Sequence, residues 1–349
     1  MKKNEKIGEL LLASPIWAKN QAPIWITSNF LLRRNLSSHL FPSKMSKIES
    51  EQVVKLFTQS LLKSPKLSYV LGDELKELEK ELLFEHFFSP PSIPIADIEK
   101  GYIIDQSGSF LASFNLEDHL LLQYLEPQSD WKEGWKKLLE IESTLSKELD
   151  FAYSTKFGYL SSNPMHVGTG LQVQAYLHLP CLIHLGKINE ILVNEEIQIS
   201  GIGNSEEFLG DIGIIQNKYS IGLTENQILQ YVHKVATLLI SSEKQTRELL
   251  AQERSPFFLN QISCYFGILR HAYQMDIKEA FAALSFIKLG IDLKWISGVD
   301  DQKINKIFFS CQRAHLITRF NEEIPQEQLN HYRAKFLQEE LQTMTLHIL

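Results

Sequence analysis

The sequence predicts an antiparallel α+β domain followed by a helical domain, on three observations. A hairpin pattern runs from 101 to 124, with Tyr102-Ile103-Ile104-Asp105 and Ser109-Phe110-Leu111-Ala112 flanking the turn Gln106-Ser107-Gly108. Leu171, Val173, Ala175, Leu177 and Leu179 alternate with Gln172, Gln174, Tyr176 and His178, the signature of a strand with two unlike faces. After Thr224 nearly everything reads as helix. This α+β order places helices and strands in separate stretches of chain.

Element by element, residues 1–45 read as loops and short strands interrupted by Pro15, Pro23 and Pro42. Ser46 and Glu49 form a capping box ahead of Val53, Val54, Phe57 and Leu61 at helical spacing. A second helix spans 75–87 and is stopped by Ser89-Pro90-Pro91. Asp130 opens a helix with the stripe Trp131, Trp135, Leu138, Leu145 and Leu149. Strands over 190–200 and 211–218 flank the loop Gly201-Ile202-Gly203-Asn204-Ser205. Thr224 with Gln227 caps a helix striped by Ile228, Val232, Val235 and Leu239. Gln252-Glu253-Arg254-Ser255-Pro256 marks the boundary, dividing the chain into 1–254 and 255–349.

Composition narrows the function classes. The 349 residues suffice for a large core without a disulfide or metal staple, and 44% hydrophobic with 22% charged residues is ordinary for a soluble globular chain. Lys+Arg 35 against Asp+Glu 42 leaves a net charge of -7, which argues against a broad nucleic-acid surface. Cys181, Cys264 and Cys311 are scattered and form no C-x-x-C pair, so a zinc ribbon, a thioredoxin motif and a disulfide framework are not expected. Leu10-Leu11-Leu12-Ala13 is too short for a secretory core, and no apolar run approaches the roughly 20 residues that span a bilayer. A cytoplasmic protein is the expectation.

Two constellations could carry chemistry. Asn163-Pro164-Met165-His166-Val167-Gly168-Thr169-Gly170 puts a glycine-rich turn before a strong strand. Such a turn either lets backbone N–H groups approach a phosphate or simply leads the chain into the strand. No G-K-[ST] follows, which excludes a Walker A loop. Glu117-Asp118-His119 is either a carboxylate–histidine site for proton transfer or a charged strand end. The 11 histidines are dispersed, with no H-x-x-x-H pair on a helix.

Several ordered segments resemble the ATP:guanidino phosphotransferases, with bacterial protein-arginine kinases as the nearest type. Thr27 to Leu36 with Phe41-Pro42 is similar to S-S-R-I-R-L-A-R-N-L…F-P, Glu85 to Pro90 to K-H-L-I-S-P, and Asn115 to Gln123 to N-E-E-D-H-I-R-I-Q. Phe157 to Pro180 resembles the long segment around C-P-T-N-V-G-T-G. Gly210 to Asn217, Phe266 to Leu269, Lys278 to Ala280 and Leu289 to Leu293 continue the likeness towards the C-terminus. The resemblance implies an antiparallel β-sheet ringed by helices, then a helical C-terminal domain through which a homodimer forms. It implies ATP with Mg²⁺ as cofactors of an active member, no nucleic acid and no membrane. As partners it implies a small zinc-binding activator protein, the Clp protease system and its heat-shock repressor.

It also assigns positions. By register Ser28, Asn29, Leu31, His86, Leu121, Gln172 and Ser200 are nucleotide-binding positions, of which Asn29, Leu31, Leu121, Gln172 and Ser200 replace the phosphate-clamping arginines. Glu117 matches the catalytic carboxylate, Asn163 stands at the cysteine position, and Gly168, Thr169 and Arg34 are kept. The loop glutamate falls near Asn204 or Ser205, and Arg333 with Ala334 remains of a phosphoarginine-reading motif. A hydrogen bond to a charged group contributes about 1.5–3 kcal/mol, so five losses, even heavily discounted, exceed about 6 kcal/mol. The expectation is a pseudokinase with a binding or regulatory role; the alternative is an active protein-arginine phosphotransferase. Arg33 shares the strand parity of Asn29 and Leu31 and can restore one charge at most.

Overall fold

The computed structural model describes residues 22–63, 67–88, 100–127, 130–188, 196–320 and 324–347, together with Leu11. One eight-stranded antiparallel sheet organises the molecule, and its strands in chain order are β1 (Trp25–Arg34), β2 (Leu67–Leu71), β3 (Gly101–Asp105), β4 (Phe110–Phe114), β5 (Leu120–Glu126), β8 (Leu171–His178), β9 (Ile197–Ser200) and β10 (Ile212–Asn217). In space they run β2-β3-β4-β5-β1-β8-β10-β9. A small hairpin, β6 (Tyr153–Ser154) with β7 (Gly158–Tyr159), stands apart.

Strand alternation decides which helices cover which face. Phe30 and Leu32 of β1, Leu120 and Leu122 of β5, and Leu171, Val173, Ala175 and Leu177 of β8 share one apolar cluster. That cluster is completed by α1 (Lys47–Leu61), α3 (Trp131–Leu145) and α5 (Glu225–Glu253). The other face packs Ile26, Ile104, Leu125, Tyr176 and Ile214 with α2 (Glu77–Glu85) and the C-terminal helices. Those helices are α6 (Pro256–His271), α7 (Ile277–Asp292), α8 (Asp301–Ser310), α9 (Arg313–Phe320) and α10 (Leu329–Glu340). A short α4 (Pro180–His184) follows β8.

The caps read from sequence are present. Ser46 and Glu49 close a reciprocal box at α1, Thr224 and Gln227 do so at α5, and Asp130 accepts from the Glu133 N–H. Arg254, at φ 47°, ends α5 in the left-handed region, and Pro256 opens α6. Residues 25–34 are a correction: where short strands and loops were expected, β1 is a ten-residue strand at the centre of the sheet. It is buried on both faces, so its sequence lacks the alternation that betrays a half-buried strand. The expected strand over 190–200 is seen at Ile197–Ser200, and 189–195 lie outside the described residues, as does the proline stop at 89–91. Among the described residues no helix is long and apolar enough to cross a membrane.

Candidate active site

Where the C-terminal helices leave the second sheet face open, β1, β5, β8 and β10 aim side chains into one cavity of about 300 Å³. Register brings them together: Leu31 lies opposite Gln123 and Gln172, Arg33 opposite Leu121, and Asn29 opposite Gln174. Arg33, Leu121, Gln172, Gln174 and Tyr176 line the floor. Phe84, Phe87 and Phe88, at the end of α2, form an aromatic wall. Glu117, Asp118, His166 and the Ile202–Asn204 turn complete the rim.

A chain of neutral amides crosses this floor. Arg33 Nη2 donates to Gln172 Oε1 at 2.9 Å, and the amides of Gln172 and Gln174 both donate to Gln216 Oε1, at 2.9 and 2.7 Å. Gln216 in turn donates to Asn204 Oδ1 at 3.1 Å, and Tyr176 donates its hydroxyl to Gln174 Oε1 at 3.0 Å. Burial lowers the Arg33 pKa, opposed by attraction to Asp118 and Glu117. Burial, then the Arg33 charge, lowers His166 to about 4, so its imidazole is neutral near pH 7. Among the described residues the lining therefore carries one cation, Arg33, against two carboxylates.

The two carboxylates differ in availability. Asp118 accepts from the Asn35 side chain, the Ser161 hydroxyl and the Ser162 N–H, which pins the 160–162 loop. Glu117 is half-buried, and its carboxylate makes no hydrogen bond or ion pair among the described residues. His119 accepts from the Leu36 N–H through Nδ1 and donates through Nε2 to Leu40 O, so it is a neutral strut for the 36–40 loop. Burial lowers its pKa further. The catalytic reading of Glu117-Asp118-His119 thus narrows to Glu117.

Other residues singled out from the sequence lie elsewhere. Ser28 faces the opposite side of β1 and accepts from the Trp25 indole. Leu31 is buried beneath the cavity floor, and Ser200 sits on β9 opposite Ile214. Asn163 caps a turn by accepting from the Met165 N–H. Gly168 exchanges backbone hydrogen bonds with Tyr159, and a Cβ on it would meet Ser220 O at 2.8 Å. Thr169 O accepts from Arg34, whose Nε pairs with Glu142 at 2.9 Å. Gly168 and Thr169 are thus engaged by neighbouring chain and do not line the cavity, whereas His166 of the same turn does.

His86 is a correction of the same kind: it is 1% exposed and its ring stacks on His315 with centroids 5.5 Å apart. Arg333 is buried too, donating to Cys311 O, Met275 O and Asn330 Oδ1, so its guanidinium staples helix ends and is not displayed. Ser205 contributes its carbonyl to the Gly201 turn, while Asn204 does reach the cavity. His166, Gln174, Tyr176 and Gln216 were missed from sequence. The available signal was strand parity, since Gln174 and Tyr176 stand two and four residues from Gln172. Among the described residues, no group of three or more His, Cys, Asp or Glu could hold a metal ion.

Comparison with known proteins agrees with this architecture. The family model "ATP:guanido phosphotransferase, C-terminal catalytic domain" matches residues 48–246, and "Protein-arginine kinase McsB C-terminal domain" matches 257–347. The protein-arginine kinase of Halothermothrix orenii is 33% identical over 334 residues, covering 93% of this chain and 96% of that protein. That of Chlamydia pneumoniae is 32% identical over 327 residues, covering 90% and 91%. Among solved structures, the duplicated taurocyamine kinase of Schistosoma mansoni shares the fold with a TM-score of 0.59 and 23% identity, over 69% of this chain and 36% of that one. A lombricine kinase does so with a TM-score of 0.57 and 18% identity, over 65% and 68%. The chain belongs to the ATP:guanido phosphotransferase family, in its protein-arginine kinase branch.

Proposed function

We propose that this family member is a pseudokinase, a chain that keeps the kinase scaffold for a binding or regulatory role. One observation carries the reading: among the described residues the cavity presents a single cation, Arg33, already bonded to Gln172 and attracted by the carboxylates of Glu117 and Asp118. A triphosphate concentrates negative charge that planar cationic donors satisfy best. Asn29, Leu31, Leu121, Gln172 and Ser200 offer none, and His166 is neutral near pH 7. These residues do not fit the triphosphate of ATP. A single transition-state arginine can contribute about 10³–10⁵ in rate, which sets the scale of the deficit.

The second reading is an active enzyme that phosphorylates protein arginine with ATP and Mg²⁺. It is favoured by Glu117, which lines the cavity and would orient or deprotonate a guanidinium. The partners implied by resemblance, a zinc-binding activator protein and the Clp protease system, belong to either reading, as does a homodimer through the helical segment.

Titration with millimolar Mg·ATP, by calorimetry and thermal denaturation, separates the two. The pseudokinase reading expects no heat and no stabilisation. A ligand at about 100 times its Kd would add about 2.7 kcal/mol, so saturable binding with that shift would overturn it.

A further inference from the structure

The same cavity holds two opposite charges with unused bonding capacity. Arg33 is bonded only through Nη2, and its buried Nη1 has no hydrogen-bond partner among the described residues. The Glu117 carboxylate, on the rim, likewise has no hydrogen-bond partner among the described residues, and the two side chains form no ion pair within 4 Å. Asn29 Oδ1, both polar atoms of Gln123 and Ser200 Oγ are also buried without hydrogen bonds, and all belong to strands of this sheet face. Of the residues with such buried atoms only Arg33 lines the cavity; buried polar groups are nearly always satisfied, so its unused Nη1 points to a polar ligand there.

The rest of the lining limits what that ligand is. Phe87, Leu121, Tyr176, Ile202 and Ile214 give it an apolar wall, and about 300 Å³ is at the small end of roughly 300–1,000 Å³ for small-molecule sites. The amide chain runs from Arg33 through Gln172 and Gln216 to Asn204, so it shapes the floor without supplying a strong charge. One free guanidinium N–H and one free carboxylate, in a part-apolar cavity whose other carboxylate, Asp118, is taken up by Asn35, Ser161 and Ser162, match a ligand that bears one charge of each sign. We propose that this cavity binds a small zwitterion of the α-amino-acid type with an apolar side chain, its carboxylate on Arg33 and its ammonium on Glu117. The proposal rests on the reading that the cavity does not clamp a triphosphate.

Calorimetric titration of the intact protein with L-leucine and L-phenylalanine tests it, beside leucinamide, N-acetyl-leucine and Mg·ATP on the same sample. The expected result is saturable binding of at least one free amino acid. Leucinamide, which lacks the carboxylate charge, and N-acetyl-leucine, which lacks the ammonium, should bind at least about tenfold more weakly, the loss of one charge-assisted hydrogen bond. Glu117→Gln and Arg33→Gln should each weaken the free amino acid similarly. Binding of neither amino acid, or equal binding of the capped derivatives, overturns the proposal. The derivatives settle this even where a variant fails to fold. Saturable Mg·ATP binding instead sinks the pseudokinase reading, so the two failures are told apart.

Discussion

Buried histidines with lowered pKa values, His119 among them, contribute to this protein's response to acid. His86 and His178 lie fully inside, and burial pushes both pKa values well down, helped by His315 for the first and by Arg247 and Lys288 for the second. His166 is lowered to about 4. The unfolded chain takes up these protons near pH 6.5, before the folded chain does. Their contribution to stability is therefore complete above about pH 6.5 and is lost as pH falls, for His166 down to about 4, with a slope of up to about 1.4 kcal/mol per pH unit for each histidine. His184 runs the other way, because its bond to Asp211 raises its pKa and adds stability that fades as pH rises. Urea unfolding across this range should show the acid loss, and His166→Asn should make it shallower. An unchanged slope in that variant would remove His166 from the account.

At the scale of elements, the entry to β8 is fixed by close backbone approach. Gly170, at φ 68°, accepts from the Arg33 N–H, and a Cβ there would meet Arg33 O at 2.6 Å and Arg34 Nη1 at 2.9 Å. Gly186 has a similar φ of 71° but nothing within 4 Å of its Cβ position. Left-handed strain on a residue with a side chain is of order 1–3 kcal/mol, and Gly170→Ala adds a clash with β1 backbone to it. The expected order is therefore Gly170→Ala clearly more destabilising than Gly186→Ala in urea unfolding. Equal losses would mean that β1 and β8 yield easily at this point.

Across the whole molecule, a buried polar network ties the sheet to the helices on both sides. Arg247 of α5 pairs with Glu243 at 2.8 Å and Asp292 of α7 at 3.0 Å, and donates to the carbonyl of His178 in β8. His178 Nε2 donates to Ser285 of α7, whose hydroxyl donates to Asp211. Glu243 also accepts from the Cys181 and Leu182 N–H groups at the start of α4. Removing one partner of such a pair leaves the other charge buried and uncompensated, at a cost of about 3–5 kcal/mol. Arg247→Met should lose about that much in chemical denaturation, and adding Glu243→Gln should restore part of it. Additive losses in the double variant would show that the two side chains are not coupled.

What the sequence determined by itself is whatever short-range periodicity encodes. Ser46, Asp130 and Thr224 announce their helices because a cap needs only its own first turn. The alternation of 171–178 announces β8 because its faces meet different surroundings, one apolar and one polar. The absence of arginine at Asn29, Leu31, Leu121, Gln172 and Ser200, and the parity of Arg33, are likewise legible, since identity and period-two register need no coordinates. Tertiary structure decided the rest. It made 25–34 the central strand, where burial on both faces erases the periodic signal. It turned His86 and Arg333 inward and brought His166 to the cavity, because which side chain meets open space depends on elements distant in the chain. It also set the charge of the site, since desolvation and neighbouring carboxylates act through space and no local pattern records them.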